Sequence, residues 1–300
     1  MSSAPIRRVK AGALDVAYEE YGSPDGEPVL LMHGFPYDPR CFDRMASLLA
    51  AEGYRTVVPY LRGYGPTRFL SAGTMRSGQQ AALARDLIDL LDALAIPRAA
   101  LMGFDWGGRA ACIAAALWPE RVRCLVSAGG YNIQNIAQLA GTLPAEVEYR
   151  LWYQTYFNTE RGRVGLEVNR AEFCKQLWRL WSPSWKFDDK TYARSAQSFD
   201  NPDFVDVVIH SYRHRCANAP GDPSLEGIER ALAEQPSIKV PSISLFGADD
   251  GVAPPSAKDK DVSRFTGAYE RRILPGVGHN VPQEAPEAAV SALLELMRAN

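Results

Sequence analysis

Three residues able to take part in nucleophilic chemistry stand where apolar runs end. Asp105 lies in Gly103-Phe104-Asp105-Trp106-Gly107, Asp250 in Gly247-Ala248-Asp249-Asp250, and His279 in Gly276-Val277-Gly278-His279. The first is a G-x-D-x-G turn. It joins an apolar run, Ala99 to Met102, to a small-residue helix pattern at Ala110, Ala111, Ala114, Ala115 and Ala116. The related G-x-S-x-G turn lifts its central side chain above a sheet at a sharp bend. Flanking glycines let strand and helix approach without a Cβ clash.

Aspartate at the centre of this turn decides the chemistry. Its carboxyl group, with a reference pKa of ~3.9, is already an anion at neutral pH and needs no base. It can attack a saturated carbon and leave an ester on itself, which water can cleave. A serine would leave an ether, which water would not cleave. The turn therefore points to displacement at tetrahedral carbon, with an epoxide oxygen or a halide leaving. The plain alternative is a chance turn with aspartate as a helix N-cap.

The elements that must position these residues follow in order. Ile6 to Val9 and Leu14 to Tyr21 read as a hairpin, and Pro28 to Met32 as an apolar strand running into His33-Gly34-Phe35-Pro36. Arg55 to Pro59, Ala99 to Met102 and Val122 to Ser127 read as further strands. Helix patterns lie between them, including an amphipathic one over Gln79 to Leu94. From about 133 to 234 no clear strand appears and aromatics crowd together, which predicts a helical insertion lying over the Asp105 turn. Strands return at Val240 to Phe246 and Glu270 to Leu274, and Ala288 to Met297 closes the chain as a helix. Such alternation predicts an α/β fold with a mostly parallel sheet covered on both faces. The predicted core is 1–132 with 235–300, and the predicted cap is 133–234.

Composition sets the bounds. The 300 residues are 46% hydrophobic and 23% charged, enough for a large core. A net charge of −2 provides no basic field for nucleic acid and no polybasic membrane patch. Five scattered cysteines, Cys41, Cys112, Cys124, Cys174 and Cys216, form no C-x-x-C and read as reduced thiols of a cytoplasmic protein. No apolar run reaches the ~18 residues of a membrane span, and the first residues do not read as a signal peptide. No metal-ligand cluster and no phosphate-binding glycine loop are apparent, so no metal or cofactor is expected. Arg62-Gly-Tyr-Gly65 reads as a structural turn. A homodimer is compatible with the sequence but not specified by it.

Taken together, the motifs His33-Gly-Phe-Pro36, Arg62-Gly-Tyr-Gly65, Gly103-Phe-Asp-Trp-Gly-Gly108, Gly247-Ala-Asp-Asp250 and Gly278-His279 carry a resemblance. The chain resembles, over nearly its whole length, the epoxide hydrolase and haloalkane dehalogenase branch of the α/β-hydrolase fold. That resemblance implies an eight-stranded sheet with the cap inserted after strand 6. It implies Asp105, Asp250 and His279 as nucleophile, acid and base, in the chain order of that fold. His279 would activate the water that cleaves the ester, and Asp250 would hold its tautomer. Asp249 is the competitor for the acid. Some relatives place the acid after the preceding strand, where this chain has Asn132, which carries no charge. Backbone N–H groups of Phe35 and Trp106 would form the oxyanion hole.

The leaving group separates the activities. Epoxide hydrolases of this fold hang two cap tyrosines over the nucleophile, and the resemblance nominates Tyr153 and Tyr212, with Tyr156 as fallback for the first. A mainly apolar epoxide would be the small-molecule substrate, contacted by Trp106, Trp152 and Tyr156. The alternative is a haloalkane or haloacetate dehalogenase. Trp106 would suit a halide, but Phe35 stands where an asparagine donor is common. Arg109 matches one of two carboxylate-binding arginines of haloacetate dehalogenases, although a helix-surface or ion-pair role is its plainer reading. A non-catalytic ligand-binding protein of this fold is the remaining reading, and it would be expected to lack a member of the triad.

Overall fold

The most apolar runs of the sequence form the middle of one sheet. A computed structural model describes residues 4–136 and 142–299. Its strands are β1 (Ile6–Ala11), β2 (Leu14–Tyr21), β3 (Pro28–Met32), β4 (Arg55–Pro59), β5 (Arg68–Phe69), β6 (Ala99–Phe104), β7 (Val122–Ala128), β8 (Ser242–Gly247) and β9 (Tyr269–Leu274). They run in the order β1-β2-β4-β3-β6-β7-β8-β9, and the two-residue β5 pairs beside β2. β1, β2 and β5 pair antiparallel with their neighbours, and β4, β3, β6, β7, β8 and β9 run parallel to one another. The eight main strands are those the sequence leads one to expect, and β5 is the addition. β8 starts at Ser242 rather than Val240, because Pro241 has no N–H to give a ladder.

Helices α1 (Asp43–Ala51), α2 (Gln80–Ala93) and α3 (Asp105–Leu117) link the early strands. Between β7 and β8 come α4 (Ala145–Arg150), α5 (Trp152–Phe157), α6 (Glu160–Trp181), α7 (Asp189–Ala196), α8 (Phe204–Arg215) and α9 (Glu226–Ala233). The chain ends with α10 (Val281–Glu284) and α11 (Pro286–Ala299). No strand interrupts 142–234. Among the described residues no helix is long and apolar enough to cross a membrane.

Right-handed crossovers explain how the faces are covered. From β3 the chain steps one way to β4 through α1. From β6 it steps the other way to β7 through α3. The two helices therefore lie on opposite faces, where α1 packs with α11 and α3 packs with α2. Between β3 and β6 the direction reverses, and ligands of open α/β sheets bind at such a point, beyond the carboxyl ends of the strands. Asp105 follows β6 there, and Gly34 and Phe35 follow β3.

Close packing at this point depends on Gly107. A Cβ added there would fall 2.0 Å from the Met32 carbonyl oxygen, so only glycine lets α3 lie directly on β3. Arg62 serves the frame as well. It makes two 2.6 Å bonds to the Asp86 carboxylate and a 2.7 Å bond to Ser77 O, consistent with a structural turn.

The aromatics of the insertion mostly bind helices to one another and to the core. Trp178 stacks on Tyr37 and Trp185, with centroids 4.8 and 5.5 Å apart, and its indole N–H donates to Pro36 O at 2.8 Å. All five cysteines are unbridged, and four of them are buried. Replacing Gly107 with alanine should lower stability by about 3 kcal/mol or more, through backbone that cannot yield. Gly227→Ala, where nothing lies within 4 Å of the added Cβ, should cost nothing. Denaturant midpoints of the two variants check the contrast.

Candidate active site

Asp105 begins α3 with φ +51°, in the left-handed region that side-chain-bearing residues avoid. Such strain persists only where surrounding contacts impose it. Here they do. Phe35 N–H donates to Asp105 Oδ1 at 2.8 Å, and a Cβ on Gly34 would come within 2.4 Å of Asp105 Cβ. The carboxylate is thus pressed against the loop that leaves β3. Burial would raise its pKa, but His279, Arg109 and the Phe35 N–H outweigh burial and hold it below the ordinary value. It stands ionised.

His279 Nδ1–H donates to Asp250 Oδ2 at 2.8 Å. Its Nε2 lies 3.8 Å from Asp105 Oδ2, too far for a direct hydrogen bond, and has no other partner among the described residues. The imidazole stands between two carboxylates. Burial would lower its pKa, yet Asp250 and Asp105 raise it well above the ordinary value. Asp250 Oδ1 accepts from the Val252 and Ala253 N–H groups at 2.8 and 2.9 Å. Those bonds and His279 overcome burial and keep Asp250 ionised too. Asp249 is exposed and stays outside this row.

The end of α6 gathers the acid and base loops. The Trp181 carbonyl accepts from Gly251 N–H at 3.0 Å and from His279 N–H at 3.1 Å. Ser182 Oγ also accepts from His279 N–H, at 3.0 Å, and donates to Glu284 Oε1 at 2.6 Å. Trp181 packs edge-on against the imidazole with centroids 5.2 Å apart. His33 has a different task. It is buried, its Nε2 accepts from Leu61 N–H at 3.1 Å, and burial lowers its pKa to about 4.

A cavity of about 390 Å³ opens over this row, and Asp105, Asp250, His279, Tyr153, Arg109 and Arg215 help to line it. Tyr153 stands at its wall. Tyr212 packs behind it, centroids 5.4 Å apart, fully buried and also in contact with Phe35 and Trp106. Burial raises the pKa of both phenols and keeps them protonated. The Trp106 ring stacks on Phe35, and its buried indole N–H has no acceptor among the described residues.

Four sequence expectations end differently. Trp106, expected to contact the substrate, lies buried outside the cavity lining, and Trp152 and Tyr156 stand away from the cavity. On α5 the buried face carries Tyr153 and Phe157, four residues apart, which turns Trp152 and Tyr156 aside onto Phe173. Trp152 remains 39% exposed. Arg109 makes no ion pair among the described residues and faces the cavity, contrary to its plainer reading. Arg215, at the end of α8, was not singled out at all. Its only sequence signal is the basic run Arg213-His214-Arg215, in which Arg213 turns outward to pair with Glu160 at 2.8 Å.

The sequence pattern of the alpha/beta hydrolase fold family matches residues 27–286. The chain belongs to that family. Among solved structures it is similar to a Klebsiella pneumoniae protein described as a candidate epoxide hydrolase. The two are 48% identical, the match covers 98% of this chain and 97% of that one, and the TM-score is 0.96. Epoxide hydrolase A of Mycobacterium tuberculosis is 24% identical over 99% of this chain and 98% of its own length. A haloalkane dehalogenase of Psychrobacter cryohalolentis is 25% identical over 96% of this chain and 88% of its own.

This α/β-hydrolase should hold its resting imidazole charged. In nitrogen-detected NMR, His279 should stay protonated through neutral pH in the wild type. Asp250→Asn removes the nearer anion, so the titration should move to lower pH. An unchanged titration would show that the flanking carboxylates do not set the charge.

Proposed function

We propose that this α/β-hydrolase opens epoxides to vicinal diols through an ester on Asp105. The observation that carries this reading is the row Asp105, His279, Asp250 lining a cavity with a tyrosine in its wall. Asp105 Oδ2 attacks a ring carbon as the C–O bond of the epoxide breaks. Tyr153, with Tyr212 beside it, gives the oxygen a proton. General acids of this kind contribute roughly 10²–10⁴ in rate.

Ester formation removes the negative charge of Asp105. With one of its two flanking anions gone, His279 binds its proton less tightly and returns it to the tyrosinate. The neutral imidazole is then the base for water attack on the ester carbonyl. The Phe35 N–H already contacts Oδ1, the atom that becomes the oxyanion, and the Trp106 N–H is the second donor. Each such donor is worth roughly 10²–10³ in rate. Collapse releases the diol and restores both the carboxylate and the imidazolium. Residues 133–234 act as the cap over a core of 1–132 and 235–300.

Alkyl halides are the second reading, favoured by the unpaired Trp106 indole N–H, a ready halide donor. It weighs less because Trp106 does not line the cavity and Phe35 offers only its backbone donor.

A single turnover of styrene oxide in ¹⁸O-water should give unlabelled diol and a labelled Asp105 peptide. Labelled diol with unlabelled Asp105 would mean direct attack by water. His279→Gln should stall at the ester, leaving the Asp105 peptide heavier by the mass of the epoxide. Tyr153→Phe and Tyr212→Phe should each slow ring opening by about 10²-fold. Bromide release from a bromoalkane faster than diol formation would favour the second reading.

A further inference from the structure

Three arginines are buried among the described residues, and two of them are paired. Arg62 is clamped by Asp86, and Arg40 by Glu19 and Asp43. Arg215 is only 7% exposed, yet its Nε and Nη2 have no hydrogen-bond partner and it makes no ion pair among the described residues. Its guanidinium carbon lies 5.3 Å from the Tyr212 ring. Arg109, half-buried, faces the same cavity and likewise makes no ion pair.

The two guanidinium groups repel each other. Burial and then Arg215 lower the Arg109 pKa to about 10, against the pull of Asp105. A fold does not keep two cations without salt-bridge partners in one cavity without cost, because burial strips water from them. The acids nearby are engaged. Asp250 holds His279 and two backbone N–H groups, and Asp105 Oδ1 holds Phe35 N–H. Glu148 stands exposed at the rim, turned to Leu143 N–H. Once Asp105 is esterified, its charge is lost to the cavity as well. The missing anion must then come with the substrate.

We infer that the substrate is an epoxide bearing a carboxylate, which Arg109 and Arg215 bind together. This rests on the epoxide reading above and narrows it to epoxy acids that give dihydroxy acids. A carboxylate suits the site because its two oxygens match the planar donor fork of a guanidinium. A cavity of about 390 Å³ sits at the small end of ligand sites, which favours a short acid. The aromatic cap does not argue for a wholly apolar substrate, since most of its rings pack on one another.

The test uses the full chain with epoxyhexanoate and its methyl ester. The acid should exceed the ester in kcat/KM by about tenfold or more, mainly through KM. That ratio should fall to near unity in Arg215→Gln and Arg109→Gln, and recover in part in Arg215→Lys. Read as a ratio, the result is unaffected by any general loss of activity. A wild-type preference below twofold, or one that survives both glutamine variants, would overturn the inference. Calorimetry provides a readout without turnover. Phenylbutyrate should bind the wild type about tenfold more tightly than phenylbutyramide, and equal affinities would also overturn it. If no epoxide is opened but phenylbutyrate still binds in an Arg215-dependent way, the carboxylate site stands and the ring-opening reading fails.

Discussion

A backbone N–H, donated from one strand end to a carboxylate on the next, sets the terms for the rest of this molecule. Phe35 and Asp105 meet at 2.8 Å across the place where the sheet reverses direction. The contact requires Asp105 in a left-handed conformation, with no side chain on Gly34 in its way. It also requires α3 to start directly on β3. Parallel strands and right-handed crossovers bring the two loops together, and close packing does the rest. The nucleophile candidate is held by the frame and not by its own flexibility.

Burying a carboxylate so deeply is unfavourable unless positive charge accompanies it. His279 supplies one charge and Arg109 another. The row Asp105, His279, Asp250 is therefore a single electrostatic unit, in which each ionised group stabilises the next. Its geometry depends on the insertion as well as on the core. The carbonyl of Trp181, at the last turn of α6, holds both the acid loop and the base loop. The last turn of α6 thus helps to set the spacing of the acid and base loops.

Residues that look alike in sequence part according to whether a countercharge meets them. Arg62 and Arg109 both fall in glycine-rich turns after strands. One meets Asp86 in a two-bond clamp and becomes part of the frame. The other, one turn into α3, has no acid to meet and remains available to a ligand. Tyr153 and Tyr156 are three residues apart on α5, yet one reaches the cavity wall and the other lies against Phe173. Residue type alone says nothing of which way a side chain turns.

Much was legible from local pattern. Apolar runs of strand length, helix periodicity between them and glycines beside Asp105 announced the alternating fold, because these signals depend only on near neighbours in the chain. The turns carrying Asp105, Asp250 and His279 were readable for the same reason, as each is a strand end with its own glycines. Tertiary structure alone decided that Asp250 rather than Asp249 meets His279, that Trp152 and Tyr156 turn from the cavity, and that Arg215 enters it beside Arg109. Those outcomes depend on the packing of α5, α6 and α8 over the sheet. Such contacts join residues far apart in the chain, and no short stretch of sequence encodes the direction in which a side chain will find itself buried.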